Sequence, residues 1–107
     1  MNPRILILCH DLTTRLQLTA AWTAAGAAML APTSEEAPDC IVVDLGRRDA
    51  LSEITRLRQL HPGVSIITCG ATFDEATVTA AKTAGADDFA ARSFVDRRVS
   101  RLLKLPG

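Results

Sequence analysis

The chain has 107 residues, with 12 Lys and Arg against 12 Asp and Glu, 48% hydrophobic residues and three cysteines. That length suits a single domain over 1–107, and the apolar content excludes wholesale disorder. The balanced charge argues against binding nucleic acid or a membrane through bulk charge, no apolar run approaches the roughly 18 residues of a membrane span, and an odd cysteine count forms no disulfide framework, so a reducing cytoplasm is expected.

Arg4 to Cys9 is a short β-rich apolar run, the pattern of a strand covered on both faces. Asp11 is placed to cap a first helix. That helix carries Leu12, Leu16 and Ala20 on one stripe and Leu18, Trp22 and Ala25 beside it, with Gly26 at its C-terminal end. Ala27 to Leu30 is the weakest strand signal. Cys40 to Val43, ending at Asp44, is a buried strand. Asp49 then precedes a helix expected to turn Leu51, Ile54, Leu57 and Leu60 inward and to stop at His61-Pro62-Gly63. Val64 to Cys69 is the next strand. Thr72 to Glu75 has the capping-box spacing for a helix that closes at Gly85, with an inner face of Ala76, Val78, Ala80, Ala81 and Ala84. Asp88 to Ala91 is a short final strand. The last helix runs from about Asp96 to Lys104, with Val95, Val99, Leu102 and Leu103 as its apolar stripe and 104–107 as a tail or the start of a linker.

Strands alternating with helices imply a parallel sheet with helices on both faces. One connection is too short for the pattern. Only Pro32 to Asp39 separates strands two and three, with Pro32 and Pro38 near its ends, whereas a parallel crossover takes roughly 10–12 residues including its helix. The helix of that crossover is therefore expected to be one turn at most, or strand two irregular. Ligands of an open parallel sheet bind outside the carboxyl ends of its strands. That end gathers Cys9, His10 and Asp11 from strand one, Asp44 from strand three, Thr68, Cys69 and Gly70 from strand four, and Arg92 from strand five.

This arrangement resembles the response-regulator receiver domain of two-component signalling over nearly the whole chain. Asp39-Cys40-Ile41-Val42-Val43-Asp44-Leu45 looks like the family's phosphoacceptor strand, Ala84-Gly85-Ala86-Asp87-Asp88-Phe89 like the approach to its fifth strand, and Arg92-Ser93-Phe94 stands where the family has Lys-Pro-Phe. The resemblance implies a flavodoxin-like α/β fold with a five-stranded parallel sheet in the order 2-1-3-4-5. It puts Asp44 at the phosphoacceptor position and Phe89 at the switch aromatic. It also implies a degenerate site. Cys9 and His10 fall where the family has the acidic pair that holds Mg²⁺, leaving Asp11 as the nearest acid. Gly70 falls at the Ser/Thr position, which Thr68 or Thr72 fills only with a change of register. Arg92 replaces the family's Lys.

The substitutions act on chemistry. Phosphoryl transfer to a carboxylate uses Mg²⁺ and a cation to neutralise the transferring group. Mg²⁺ takes hard oxygen ligands, whereas thiol and imidazole favour other metals. Arg keeps the charge of Lys but is larger and forked. Gly70 has no hydroxyl. The expectation is an atypical, non-enzymatic signalling module that works through protein–protein contact without phosphorylation and without a cofactor. Its contact face would be the family's helix four, strand five and helix five, with Thr77, Ala80, Ala81, Arg97, Arg98 and Arg101. The partner would be a histidine kinase, an output protein or a second copy of the chain in a homodimer, not nucleic acid or a membrane. Two other readings stand beside it. One is a conventional receiver phosphorylated on Asp44 by a histidine kinase, with Mg²⁺ held by Asp11 and Asp44. The other is a metal or thiol sensor at Cys9, His10 and Cys69. The basic residues of the last helix also suit its C-terminal dipole, and Arg47 and Arg48 lie close enough to the same end of the sheet to recognise an anion.

Overall fold

The apolar runs become five parallel strands in a computed structural model that describes residues 2–106. In chain order the elements are β1 (Arg4–Leu8), α1 (Leu12–Ala24), β2 (Ala28–Leu30), β3 (Cys40–Asp44), α2 (Ala50–Leu60), β4 (Ser65–Gly70), α3 (Glu75–Ala84), β5 (Asp88–Ala91) and α4 (Val95–Leu103). The sheet order is β2-β1-β3-β4-β5, the doubly wound order that the resemblance implies. All four pairings are parallel. β3 is the central strand and is buried along its whole length.

Strand alternation divides the core into two layers. On one face Ile5, Ile7, Cys40, Val42 and Ile67 pack beneath Leu18 and Trp22 of α1 and Val95 and Val99 of α4. On the other, Leu6, Leu8, Ile41, Val43 and Ile66 pack beneath Ala50, Ile54 and Leu57 of α2 and Ala81 of α3. Each fully buried large side chain contributes about 1.5–3 kcal/mol of transfer free energy. Among the described residues no helix is long and apolar enough to cross a membrane.

The connection from β2 to β3 contains no helix. Residues 31–39 form turns and bends, because two prolines remove backbone donors and nine residues are too few for a helical crossover. The four helices thus lack the family's second one, and its helices four and five correspond to α3 and α4.

Several side chains expected inside face solvent. Leu12 and Leu16 are exposed, because α1 turns the Leu18–Trp22 stripe to the sheet and the larger Trp22 ring fixes which stripe is buried. Leu51, Leu60 and Leu102 are also exposed, while Ile54, Leu57, Val95 and Val99 carry the packing. A single helix face is wide enough for about three to four residues per two turns. The third helix is capped by Asp74, whose carboxylate accepts from the Thr77 amide, in place of a Thr72–Glu75 box.

Candidate functional site at the carboxyl end of the sheet

Asp44 ends the central strand with its side chain fully buried. The register carries Cys69 of β4 directly beside it. Parallel pairing of β1 with β3 brings Leu8 opposite Val43, so Cys9, the next residue, enters the same space. The end of β5 brings Arg92. The topology therefore assembles Asp44, Cys9, Cys69 and Arg92 from four strand ends.

The Asp44 carboxylate is surrounded by donors. Arg92 Nε donates to Oδ2 at 2.7 Å. The Gly46 amide donates to Oδ1 at 2.8 Å. The Cys69 thiol lies 3.8 Å from Oδ2. The Cys9 thiol lies 3.6 Å from both Oδ2 and the Asp11 carbonyl, so its one proton can go to either. His10 Nδ1 sits 4.0 Å from Oδ1.

These contacts set the charge states. Burial opposes ionisation of Asp44, but the Arg92 hydrogen bond, the Gly46 amide and the Arg92 charge outweigh it and hold the carboxyl below its ordinary range. Asp44 in turn raises the Arg92 guanidinium. Burial and then the Asp44 charge push the Cys69 thiol up to about 12. Burial also raises Cys9. Both thiols are thus neutral donors to a buried anion, not thiolates poised for redox or metal chemistry.

The residues present do not fit Mg²⁺. Asp11 caps α1, accepting from the Thr14 amide at 3.0 Å and from its hydroxyl. Those bonds, the hydroxyl's first, hold its carboxyl low. Asp44 already has a guanidinium, and the acidic-pair positions carry a neutral thiol and an imidazole. Among the described residues no three His, Cys, Asp or Glu side chains converge as a metal site. Asp11 and Asp44, the two carboxylates of the conventional alternative, are thus each engaged by protein donors, and Cys9, His10 and Cys69 border the Asp44 carboxylate.

Of the two threonines, Thr68 is committed to the neighbouring strand, whereas Thr72 borders the cavity beside Asp44 and Arg92. Thr68 donates to the Asp88 carbonyl at 2.8 Å, and Thr72 lies exposed in the loop after β4. Gly70 lies beside the Phe89 ring. A Cβ on Gly70 would meet the Thr72 carbonyl at 3.4 Å and the Phe89 ring at 3.6 Å. Phe89 is in turn packed edge-on against Phe73, with centroids 5.7 Å apart. A cavity of about 210 Å³ opens beside Asp44 and Arg92, lined in part by Gly70, Asp74, Thr77 and Phe89.

On the expected contact face, Arg97 and Arg101 are exposed, and Thr77 and Ala80 are half-buried. Ala81 is not available there, because it is fully buried against the sheet. Arg98 is engaged in an ion pair with Asp88. Phe73 and Phe94 stand exposed near this face and were not foreseen. Gly46 was missed as well, although an Asp with Gly two residues on is a readable signal for a carboxylate that accepts from a backbone amide.

With the sheet order and the aspartate at the end of its central strand in place, the class is a doubly wound α/β domain. The family model of the response regulator receiver domain matches residues 2–104, and the chain belongs to that family. It is thus a receiver domain of two-component signalling, a class that interacts with histidine kinases and output domains. No curated protein matches the chain in sequence. Its fold is similar to that of a response regulator from Thermotoga maritima, at 19% identity and TM-score 0.79, covering 97% of this chain and 99% of that one. It is also similar to a CheY-like receiver domain protein from Methanospirillum hungatei, at 16% identity and TM-score 0.83, covering 97% of this chain and 95% of that one. A two-component response regulator from Clostridium difficile is similar at 14% identity and TM-score 0.82, covering 96% and 97%.

Proposed function

We propose that this receiver domain is a cytoplasmic protein–protein contact module whose state is not set by phosphorylation of Asp44. The observation that carries the reading is the 2.7 Å bond from Arg92 Nε to Asp44 Oδ2. A charge-assisted bond of this kind is among the stronger bonds a protein makes, and it lowers the nucleophilicity of the carboxylate oxygen that accepts it. Here Oδ2 also has two thiols beside it and Oδ1 holds the Gly46 amide. The arginine supplies one permanent positive charge, the charge a lysine would bring, directly on Oδ2.

The contact surface in this reading is α3, β5 and α4. Exposed Phe73 and Phe94 offer aromatic anchors, and Arg97 and Arg101 a basic rim that suits an acidic partner. The partner is an output protein, a histidine kinase or a second copy of the chain. The domain itself performs no catalysis and uses no cofactor.

Beryllofluoride with Mg²⁺, a mimic of aspartyl phosphate, tests the reading by amide NMR. The resonances of α3, β5 and α4 are expected to stay in place. Concerted shifts across that face, lost in Asp44→Asn, would establish the conventional switch instead.

A further inference from the structure

A second cavity lies on the other side of the Asp44 loop. It encloses about 510 Å³ and is lined by Cys9, His10, Arg15, Gly46, Arg47, Arg48 and Asp49. Three separate segments meet there: the turn after β1, the first turns of α1, and the loop from β3 to α2. Arg47 donates to both oxygens of Asp49, at 2.8 and 2.9 Å. Among the described residues, Arg15 and Arg48 have no side-chain hydrogen bond or ion pair. The one carboxylate in the lining is therefore neutralised by one arginine, and two guanidinium charges remain.

The local backbone adds to this. Asp49 is the N-cap residue of the 11-residue helix α2, but its side chain makes no capping bond, because its oxygens are held by Arg47. Of α2, this N-cap residue lines the cleft, while Glu53 in the first turn does not. Gly46 forms part of the floor. A Cβ there would stand 2.6 Å from His10 Cε1, so the glycine lets the imidazole lie against the loop. Cys9 is held neutral by burial. Asp44, behind this floor, is matched by Arg92 and adds no unpaired negative charge.

We propose that this cleft binds a compact phosphate-bearing anion, of which a diphosphate group is the best fit. Guanidinium forks match the oxygens of a phosphate two at a time. Two free arginines on separate segments match the several oxygens and multiple charges of a diphosphate better than a single carboxylate. The volume exceeds that of one phosphate. A chain with balanced charge and one local basic cleft suits a small, highly charged anion over an extended polyanion. The binding is reversible and non-covalent, and it does not depend on whether Asp44 ever accepts a phosphoryl group.

Titration of the full chain with pyrophosphate, inorganic phosphate, citrate and chloride at constant ionic strength, followed by amide NMR, tests the site. Pyrophosphate is expected to give saturable shifts in residues 9–15 and 46–52, and to bind more tightly than phosphate or citrate. Arg15→Glu and Arg48→Glu, both at exposed positions, should each weaken it at least tenfold while leaving the spectrum folded. Asp44→Asn should bind as the wild type does. The proposal is overturned if the shifts are matched by chloride, if citrate binds as tightly, if both charge reversals leave binding unchanged, or if Asp44→Asn abolishes it. The last result would place the anion at Asp44 instead.

Discussion

Arg92 and Asp44, 48 residues apart in the chain, are joined by a 2.7 Å bond that ties the end of β5 to the end of the central strand. The aspartate is buried, whereas the arginine side chain keeps 26% of its surface exposed. The two partners of this pair therefore respond differently to substitution.

Removing the cation leaves a buried anion with one amide and two thiols. Arg92→Met should cost about 3–5 kcal/mol, the usual penalty for orphaning a buried charge. Asp44→Asn should cost clearly less, because the freed guanidinium can turn to water. Denaturant unfolding of the two variants measures the order, and an Asp44→Asn cost equal to or above that of Arg92→Met would contradict it.

The same pair sets a pH dependence. Asp44 in the folded protein lies below its unfolded value, so its stabilisation is present above the unfolded value near pH 4 and is lost as pH falls through the folded one. In Arg92→Met the guanidinium's bond and charge are lost while the Gly46 amide and the Cys9 thiol remain, so the folded value rises relative to that of the wild type. That variant's penalty should be full at neutral pH and shrink as acid protonates Asp44. Stability measured from pH 7 down to pH 4 should thus bring the variant closer to the wild type, and a constant gap would refute the assignment.

All three cysteines are free and buried. Burial, the leading cause in both, pushes Cys40 and Cys69 up to about 12. A thiol reagent at pH 8 should modify the native protein only slowly and label three thiols once the chain is unfolded. Rapid labelling of Cys9 in the native state would show a thiolate there and reopen a redox role.

Gly70→Thr restores the hydroxyl position of the family but adds atoms where Phe89 lies. A Cβ there stands in ordinary contact with the ring at 3.6 Å, so it is the Oγ1 and Cγ2 atoms beyond it that are expected to crowd the ring. The variant should lose about 1–3 kcal/mol, the common cost of overpacking, and the Phe73 and Phe89 ring resonances should shift together. An unchanged aromatic spectrum would show that the ring does not depend on the glycine.

The sheet order was legible only through the resemblance to the receiver family, whereas the gathering of Asp44, Cys9, Cys69 and Arg92 at one end of the sheet was legible from β-rich runs alternating with helical patterns. The missing crossover helix was legible from Pro32 to Asp39. What pattern could not show was which of two stripes a helix buries. Leu12 and Leu16 compete with Leu18 and Trp22 on α1, and only packing against the sheet decides. Long-range polar ties were also invisible. Arg58 on α2 donates to the carbonyls of Val64 at 2.7 Å and Gly85 at 3.0 Å, and to Asp87 at 2.8 Å. Nothing local in the sequence marks those partners. Ala81 was assigned both to the inner face of its helix and to the contact face, because alanine suits a buried helix face and a close docking surface equally well, and it is the inner face that it occupies.

The most direct test of the central claim is the intact mass of the protein after incubation with Mg²⁺ and an acyl phosphate donor. With Asp44 held by Arg92 and no fitting metal ligands beside it, the mass should stay that of the unmodified chain. A gain of one phosphoryl group that disappears in Asp44→Asn would contradict the account.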